Sequence, residues 1–486
     1  MPFLDDDIIN LRLLNGKIAQ YYWGDEIAIV SSDTKRHRVQ VIGRNGPVAE
    51  GFIPKKAKLR NTPLLRCSMI DVQQGDGLII ETPGGKVLFI DGGDNQLFAR
   101  HAAARFSGTT ANNPLDIDLM LVTHGDADHF DGLNELLVSE TNDTRRKRIF
   151  VSPRRYYHNG LVKRPSEKNG VKTPELKSLG PVTKQGKATF VTGLVDDPAQ
   201  VAKAERNGPF NRWIATLAEW DQRLQARSGQ SIERRRIDQH STDAFDFLAD
   251  EEITVEVIGP ISEPTDDGPG LRFLAEPPDD ASLMLGTAPS DEPSTPSASH
   301  TINGHSIAFR LRYGNVRFLL TGDLNQAASQ RLREALPDTA IRCEILKAPH
   351  HGSADFDMEF LKEAGPVVSL ISSGDESELK EYIHPRATLM AALGRASRTT
   401  PAIIFITELA AFFKMIGYVD GPKKRRFFAF ERTNFGIAHI RTDGERVLAF
   451  THSGKAGMNE AYRFTVSASG EVSFAAAVTK VSAPKV

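Results

Sequence analysis

Two series of short apolar runs, each stopping at a carboxylate or an imidazole, constrain this chain more than any other feature. In the first, CSMIDV, GLIIET and KVLFIDGG follow one another from Cys67, and a helical segment at Gln96–Phe106 and the run IDLMLVTH come next. The second holds HSIAFRLRYG, VRFLLTGD, a helical segment at Leu324–Leu336, CEILKAPHHGS and VVSLISSGD. Short aliphatic runs bounded by Gly and Asp read as buried strands. Their alternation with helices predicts an α/β layout with polar residues at strand ends. The duplication predicts two half-domains stacked sheet to sheet.

The densest polar group is LVTHGDADHFDG, Leu121 to Gly132. Gly125 lets the chain turn, and DHFDGLNELL starts a helix, so His124, Asp126, Asp128 and His129 crowd into one loop. Carboxylates that close repel one another unless a cation neutralises them. A mixed oxygen and imidazole set suits zinc, manganese or iron better than calcium. Asp323 in LLTGD, and His350 with His351 in LKAPHHGS, end further strands and supply more donors than one tetrahedral ion needs. The expectation is two divalent metal ions, zinc or manganese, bridged by a carboxylate such as Asp323 and holding a hydroxide for attack on an ester or phosphodiester.

The rest of the chain frames this centre. Residues 16–55 alternate aromatic and β-branched residues between the breaks WGD, SSDT and RNGP, which predicts a small β-barrel, packed on the main body or offered to a protein partner. Between the two series lies an insertion. Its RRYYHNGLVKRPSEKNGVK stretch offers phosphate contacts through Arg154, Arg155, Lys163 and Arg164, or else a solvated face. Phe210–Arg236, containing ERRR, reads as a charged helix, and residues 261–300 as a loop rich in Pro, Ser, Asp and Glu. The run IIFITELAAFF from Ile403 reads as a buried helical element. The final strands from 428 to 450 complete the main domain, and the tail beyond is peripheral.

Composition narrows the partners. Lys+Arg 60 against Asp+Glu 62 gives a formal net charge of -2 and no general pull toward nucleic acid or a membrane. The two cysteines build neither a disulfide framework nor a thiolate zinc site. No signal peptide opens the sequence, and no run reaches the roughly 18 apolar residues of a membrane span, so the expected place is the cytoplasm.

THGDADHFDG resembles the THxDxDHxxG form of the metallo-β-lactamase superfamily signature. IDVQQGDGLIIET with VLFIDGGD, then LLTGD and PHHGS, resembles in order the soluble hydrolase domain of ComEC-type DNA-uptake proteins and their stand-alone relatives. The resemblance implies an αββα metallo-β-lactamase sandwich, while the run Trp23–Asp25, the turn at Gly43–Pro47 and the closing GFIP separately resemble the bacterial Src-homology-three-type barrel. The superfamily resemblance implies metal ligands His124 and Asp126 for one ion and Asp128 and His129 for the other. Asp323 would bridge, and His350 or His351 would complete the second site. Asp91 in IDGGD would orient a ligand or shape the turn. His384, in the HP pair that follows Gly374 and Asp375, would face a substrate phosphate or cap a helix. The sequence departs from the family where HxHxDH members carry a histidine in place of Asp126, and no interval histidine sits in the usual motif. His158 in YYHNG is the interval histidine singled out, as a site residue or a turn residue. Gln73 replaces a common glycine, and Gly77 a common serine.

These readings give residues 1–62 as a small β-barrel and 63–455 as the hydrolase domain with an insertion around 154–300, followed by a C-terminal β extension at 456–486. The expected function is a binuclear phosphodiesterase or nuclease, acting on nucleic acid or a small phosphodiester, with Asp128, His350, His351 and His384 serving the reaction. The alternatives are a carboxylic ester, lactone or amide hydrolase with the same centre, and a metal-binding interaction protein that is not an enzyme.

Overall fold

The computed structural model describes the chain except residues 169, 277–294, 338–339, 375–383, 411, 421–425, 435, 453–457 and 476–486. The first of two large sheets has ten strands, in the order Glu233–Arg236, Arg155–His158, Leu119–Leu121, Val87–Ile90, Leu78–Glu81, Leu65–Ile70, Ile437–Thr442, Arg446–His452, Met458–Val466 and Val472–Phe474. The second has six, in the order Ile253–Gly259, Ala308–Tyr313, Val316–Leu320, Ile345–Lys347, Val368–Ile371 and Ile403–Ile406. In both, antiparallel strands lead into a parallel run, so several strand ends point the same way.

Successive strand residues face opposite sides, and the apolar residues follow that rule. Leu88, Ile90 and Leu121 of the first sheet share one core with Phe309, Phe318, Leu320 and Ile345 of the second. Val87 and Phe89 point the other way, into a core closed by the helices Leu97–Arg105 and Gly208–Ser228. The outer face of the second sheet is covered by Gln326–Ala335, Met358–Ala364 and Ala387–Ala396. The chain is thus mixed α/β, with helices outside two facing sheets.

Two helical expectations change. ERRR is a strand, not the end of a helix: the helix stops at Ser228, Gly229 takes the left-handed cap, and Glu233–Arg236 pairs in parallel with Arg155–His158. As a sheet edge its arginines reach separate acids, Arg234 to Asp197 at 2.8 Å and Arg235 to Asp243 at 2.5 Å. IIFI is likewise the edge strand of the second sheet, as β-branched residues beside an existing parallel partner favour. Residues from Met458, read as a C-terminal β extension, pair as strands on the first sheet and bury Phe464 and Val466.

The N-terminal region is a five-stranded antiparallel sheet, Ile18–Tyr22, Ile8–Leu13, Gly46–Pro54, Arg36–Gly43 and Ile27–Ser32, whose two outer strands do not pair to close a barrel. Its own core of Leu4, Ile9, Leu11, Ile27, Val39, Val41 and Ile53 explains the alternation. It packs on the main body, where Tyr22 and Trp23 meet Leu448 and Phe450, and Arg441, Arg446 and Arg463 pair with Asp25, Asp5 and Asp7. No helix among the described residues is long and apolar enough to cross a membrane.

Candidate metal centre

Both sheets end at the same place. Leu119–Leu121 runs into Val122 and His124, and Asp126 precedes the short helix Ala127–Phe130. A Cβ on Gly125 would lie 2.8 Å from Phe210, so glycine is what lets the long insertion helix pack against this loop. From the second sheet, Val316–Leu320 leads to Asp323, and Ile345–Lys347 leads to His350 and His351. These two histidines have φ of 47° and 50°, a left-handed conformation that non-glycine residues hold only where the surroundings impose it. A third segment, Asp71–Gly77, is wedged between. A Cβ on Gly75 would strike the Asp128 carbonyl, and the Ser372 hydroxyl donates to Gly75 O at 2.7 Å.

The donor atoms converge on Asp323. Its Oδ2 lies 3.1 Å from His351 Nε2, 3.2 Å from His129 Nε2 and 4.0 Å from His124 Nε2, while the His129 and His351 Nε2 atoms are 3.3 Å apart. Among the described residues, four overlapping groups have donor atoms within 4.8 Å of one another and could hold a metal ion: His124, His129 and Asp323; Asp128, His129 and His351; Asp76, Asp323 and His351; and Asp76, Asp91 and His129.

The surroundings aim these nitrogens. Thr123 donates its hydroxyl to Asp91 Oδ2 at 2.7 Å, and Ser306 donates its own to Asn303 O at 2.8 Å. Both hydroxyls lie 3.2 Å from His124 Nδ1. With those protons committed, His124 Nδ1 must carry the hydrogen, which leaves Nε2 as a lone pair, buried and without a hydrogen-bond partner. His129 Nδ1 donates to Asp91 Oδ2 at 2.9 Å, so its Nε2 also faces the cluster. Asp91 is therefore the residue that orients His129, the outer carboxylate typical of metal-binding histidines. An orphaned imidazole nitrogen beside buried carboxylates and converging lone pairs is the arrangement a divalent cation satisfies.

Not every candidate joins in. Asp126 belongs to none of the four groups; its Oδ1 lies 2.5 Å from Lys163 Nζ. His350 stands at the rim, its Nε2 3.9 Å from Asp323 and 3.3 Å from Asn303 Nδ2, and His384 is beside it with ring centroids 5.9 Å apart. His158 is buried but spent elsewhere, since Nε2 donates to Asp196 O at 2.8 Å and Nδ1 accepts from Gly160 N at 3.1 Å. Gly374 packs on Gln73, which takes φ 67°, where glycine is unstrained, while Asp375 lies outside the described residues.

Two residues were missed. Asp76, in DVQQGDG, is buried with Oδ1 3.3 Å from His351 Nδ1, and it is ion-paired with Lys347. Lys347 is 1% exposed, donates to Gly322 O at 2.7 Å and lies 3.6 Å from Asp323 Oδ1. A lysine inside the otherwise apolar strand CEILKA was the available signal, because a buried ammonium requires a buried acid.

The charges respond to one another. Burial opposes ionisation of Asp323, but His351, His129 and His350 hold it well below the usual carboxylate range. Burial would lower His351, yet Asp323 and Asp76 push it up to about 9, and His129 is raised in the same way by Asp323 and Asp91. Burial and the neighbouring His129 keep His124 neutral. In the metal-free protein near pH 7.5, His351 therefore holds a proton that a metal ion must displace. Zinc binding should release protons from His351 and His129, and affinity should rise with pH through about 9. Calorimetry in buffers of different ionisation enthalpy measures this; heats independent of buffer would contradict it.

No family model matches the chain. The sequence is similar to ComE operon protein 3 of Bacillus subtilis (strain 168), 30% identical over 96 residues, a stretch that covers 20% of this chain and 12% of that protein.

Proposed function

We propose that this chain is a metal-dependent phosphodiesterase of metallo-β-lactamase type, with a nucleic acid or a small phosphodiester as substrate. The observation that carries the reading is the convergence of His124 Nε2, His129 Nε2, His351 Nε2 and Asp323 Oδ2 at the facing ends of two sheets. His124, His129 and Asp323 would hold one divalent ion; Asp128 and His351, sharing Asp323, would hold the other. The mixed nitrogen and oxygen donors suit zinc or manganese. Such ions supply Lewis acidity and a water acidic enough to be deprotonated near neutral pH.

The chain's own residues do the rest. Asp91, Thr123 and Ser306 fix the two imidazoles, and Lys347 keeps Asp76 ionised against the cost of burial. His350 is held neutral by burial and by His351, and its side chain is 23% exposed, so it is the rim group able to accept a proton. His384, beside it, is lowered to about 3 by burial and by His350, and so also stays uncharged. The similarity to ComE operon protein 3 over 96 residues supports a ComEC-type relationship for part of the chain.

Purified protein supplied with manganese or zinc should hydrolyse bis(p-nitrophenyl) phosphate and single-stranded DNA, and should leave lactones and p-nitrophenyl acetate intact. Turnover of the lactone or the carboxylic ester alone would replace this reading with the ester hydrolase. Metal binding without turnover of any of them would favour an interaction protein.

A further inference from the structure

We propose that a cleft beside the metal cluster, lined by Lys163, Arg164 and Arg206, binds a substrate phosphate that flanks the scissile one, and that Asp126 is the positioning residue that holds Lys163 at its edge. The proposal rests on the phosphodiesterase reading and adds where the rest of the substrate lies.

Asp126 is flanked in the loop by His124 and Asp128, both in the donor groups, yet its Oδ1 is 2.5 Å from Lys163 Nζ. Lys163 comes from the insertion, most of whose other cations are tied to nearby acids. Arg154 pairs with Asp116, Arg155 with Glu233, Arg234 with Asp197, Arg235 with Asp243 and Arg236 with Asp238. What the insertion brings to the metal loop is a cavity of about 500 Å³ whose wall runs from Ala127 to Lys163, Arg164 and Arg206. Ala127 sits between Asp126 and Asp128, so the cavity borders the loop that carries these residues.

The wall also carries Glu167, but three cations against one carboxylate leave it positive, which suits a phosphate. An ammonium has three donors, and Asp126 engages Lys163 through one carboxylate oxygen, leaving further N–H groups for a second anion. Arg164 reaches Glu205 at 3.2 Å, but that carboxylate is 55% exposed, the kind of pair a phosphate displaces at little cost. Arg206 Nε is buried without a hydrogen-bond partner. A volume near 500 Å³ takes a phosphate with its attached nucleoside. Asp126 close to a polyanion would repel it; paired with Lys163, it fixes the cation that attracts it. The aspartate in place of the family's histidine then serves substrate rather than metal.

The test compares wild type, Lys163→Met, Lys163→Arg and Asp126→Asn. Lys163→Met should raise KM about 10-fold more for a 5′-phosphorylated dinucleotide than for bis(p-nitrophenyl) phosphate, with Lys163→Arg restoring most of the difference. Metal content per chain should be unchanged in both Lys163→Met and Asp126→Asn. In metal-free protein, calorimetry should show thymidine 3′,5′-bisphosphate binding weakened about 10-fold by Lys163→Met. Loss of metal from Asp126→Asn would make Asp126 a ligand and overturn the proposal, as would equal KM changes for the two substrates. If wild type hydrolyses no phosphodiester, the functional reading fails, and the calorimetry alone decides the subsite.

Discussion

Replacing Asp323 by Asn is expected to weaken metal binding by at least about 100-fold and, on the proposed function, to lower phosphodiesterase kcat/KM by about 10³-fold, with the fold retained. The substitution keeps the shape of the side chain and the backbone bond from Asp323 N to the Ser306 hydroxyl at 2.9 Å. It removes the negative charge that faces His351, His129, His350 and His124. Loss of an outer partner of a metal ligand already costs about 10- to 100-fold in affinity, so a carboxylate at the centre of the donors sets the higher expectation. The proton on His351 should also leave at a pH below its present value of about 9, because Asp323 is the strongest of the groups that raise it. Metal analysis after desalting, with far-ultraviolet circular dichroism as the control for folding, reads the outcome. Full metal content and full activity would remove Asp323 from the centre.

Lys347→Met should cost about 3–5 kcal/mol of stability in the metal-free protein, the usual consequence of leaving buried charge without its partner. Lys347 is 1% exposed, pairs with Asp76 and lies 3.6 Å from Asp323 Oδ1. Without the ammonium, the buried carboxylates of Asp76 and Asp323 lose the lysine cation beside both and are left to the neighbouring histidines. The double variant Asp76→Asn, Lys347→Met removes both members of the closer pair and should recover part of the loss. A divalent ion that binds the folded state should restore more stability to Lys347→Met than to wild type, since it brings cationic charge to the same carboxylates. Urea unfolding with and without EDTA measures both effects. A loss below about 1 kcal/mol with no response to metal would show that Lys347 is dispensable to the charge balance.

The strand series and the polar loop were legible because buried strands leave continuous aliphatic runs, and because clustered acids and histidines need a reason to coexist. Asp323, His129 and His351 meet as their positions at strand ends implied. ERRR and IIFITELAA were misread because their conformation is decided by an existing sheet edge far away in sequence: Arg155–His158 for one and Val368–Ile371 for the other. Lys347 and Asp76 escaped notice for a related reason. A lysine in an apolar strand and an aspartate in a glycine turn look like separate surface features until the two sheets bring them together. The ion pair of Asp126 with Lys163 was not legible, because Lys163 lies in an insertion whose path no local pattern reveals.

The strand Leu65–Ile70 sits in the middle of the first sheet, between Leu78–Glu81 and Ile437–Thr442. Ser68 meets His439 across a separation of 371 residues. During synthesis at about 5–20 residues per second, one side of this strand therefore waits roughly 20–70 s for its neighbour. Over that interval Cys67, Met69 and Ile70, all buried at the end, border a row of unpaired peptide groups, the template on which nascent chains join edge to edge. The N-terminal sheet offers no shelter beforehand, because Tyr22 and Trp23 pack on Leu448 and Phe450, which emerge later still. Residues 437–442 thus complete pairing begun at residue 65, and ribosomal stalling or truncation before Ile437 should leave that edge open and the fragment prone to aggregate.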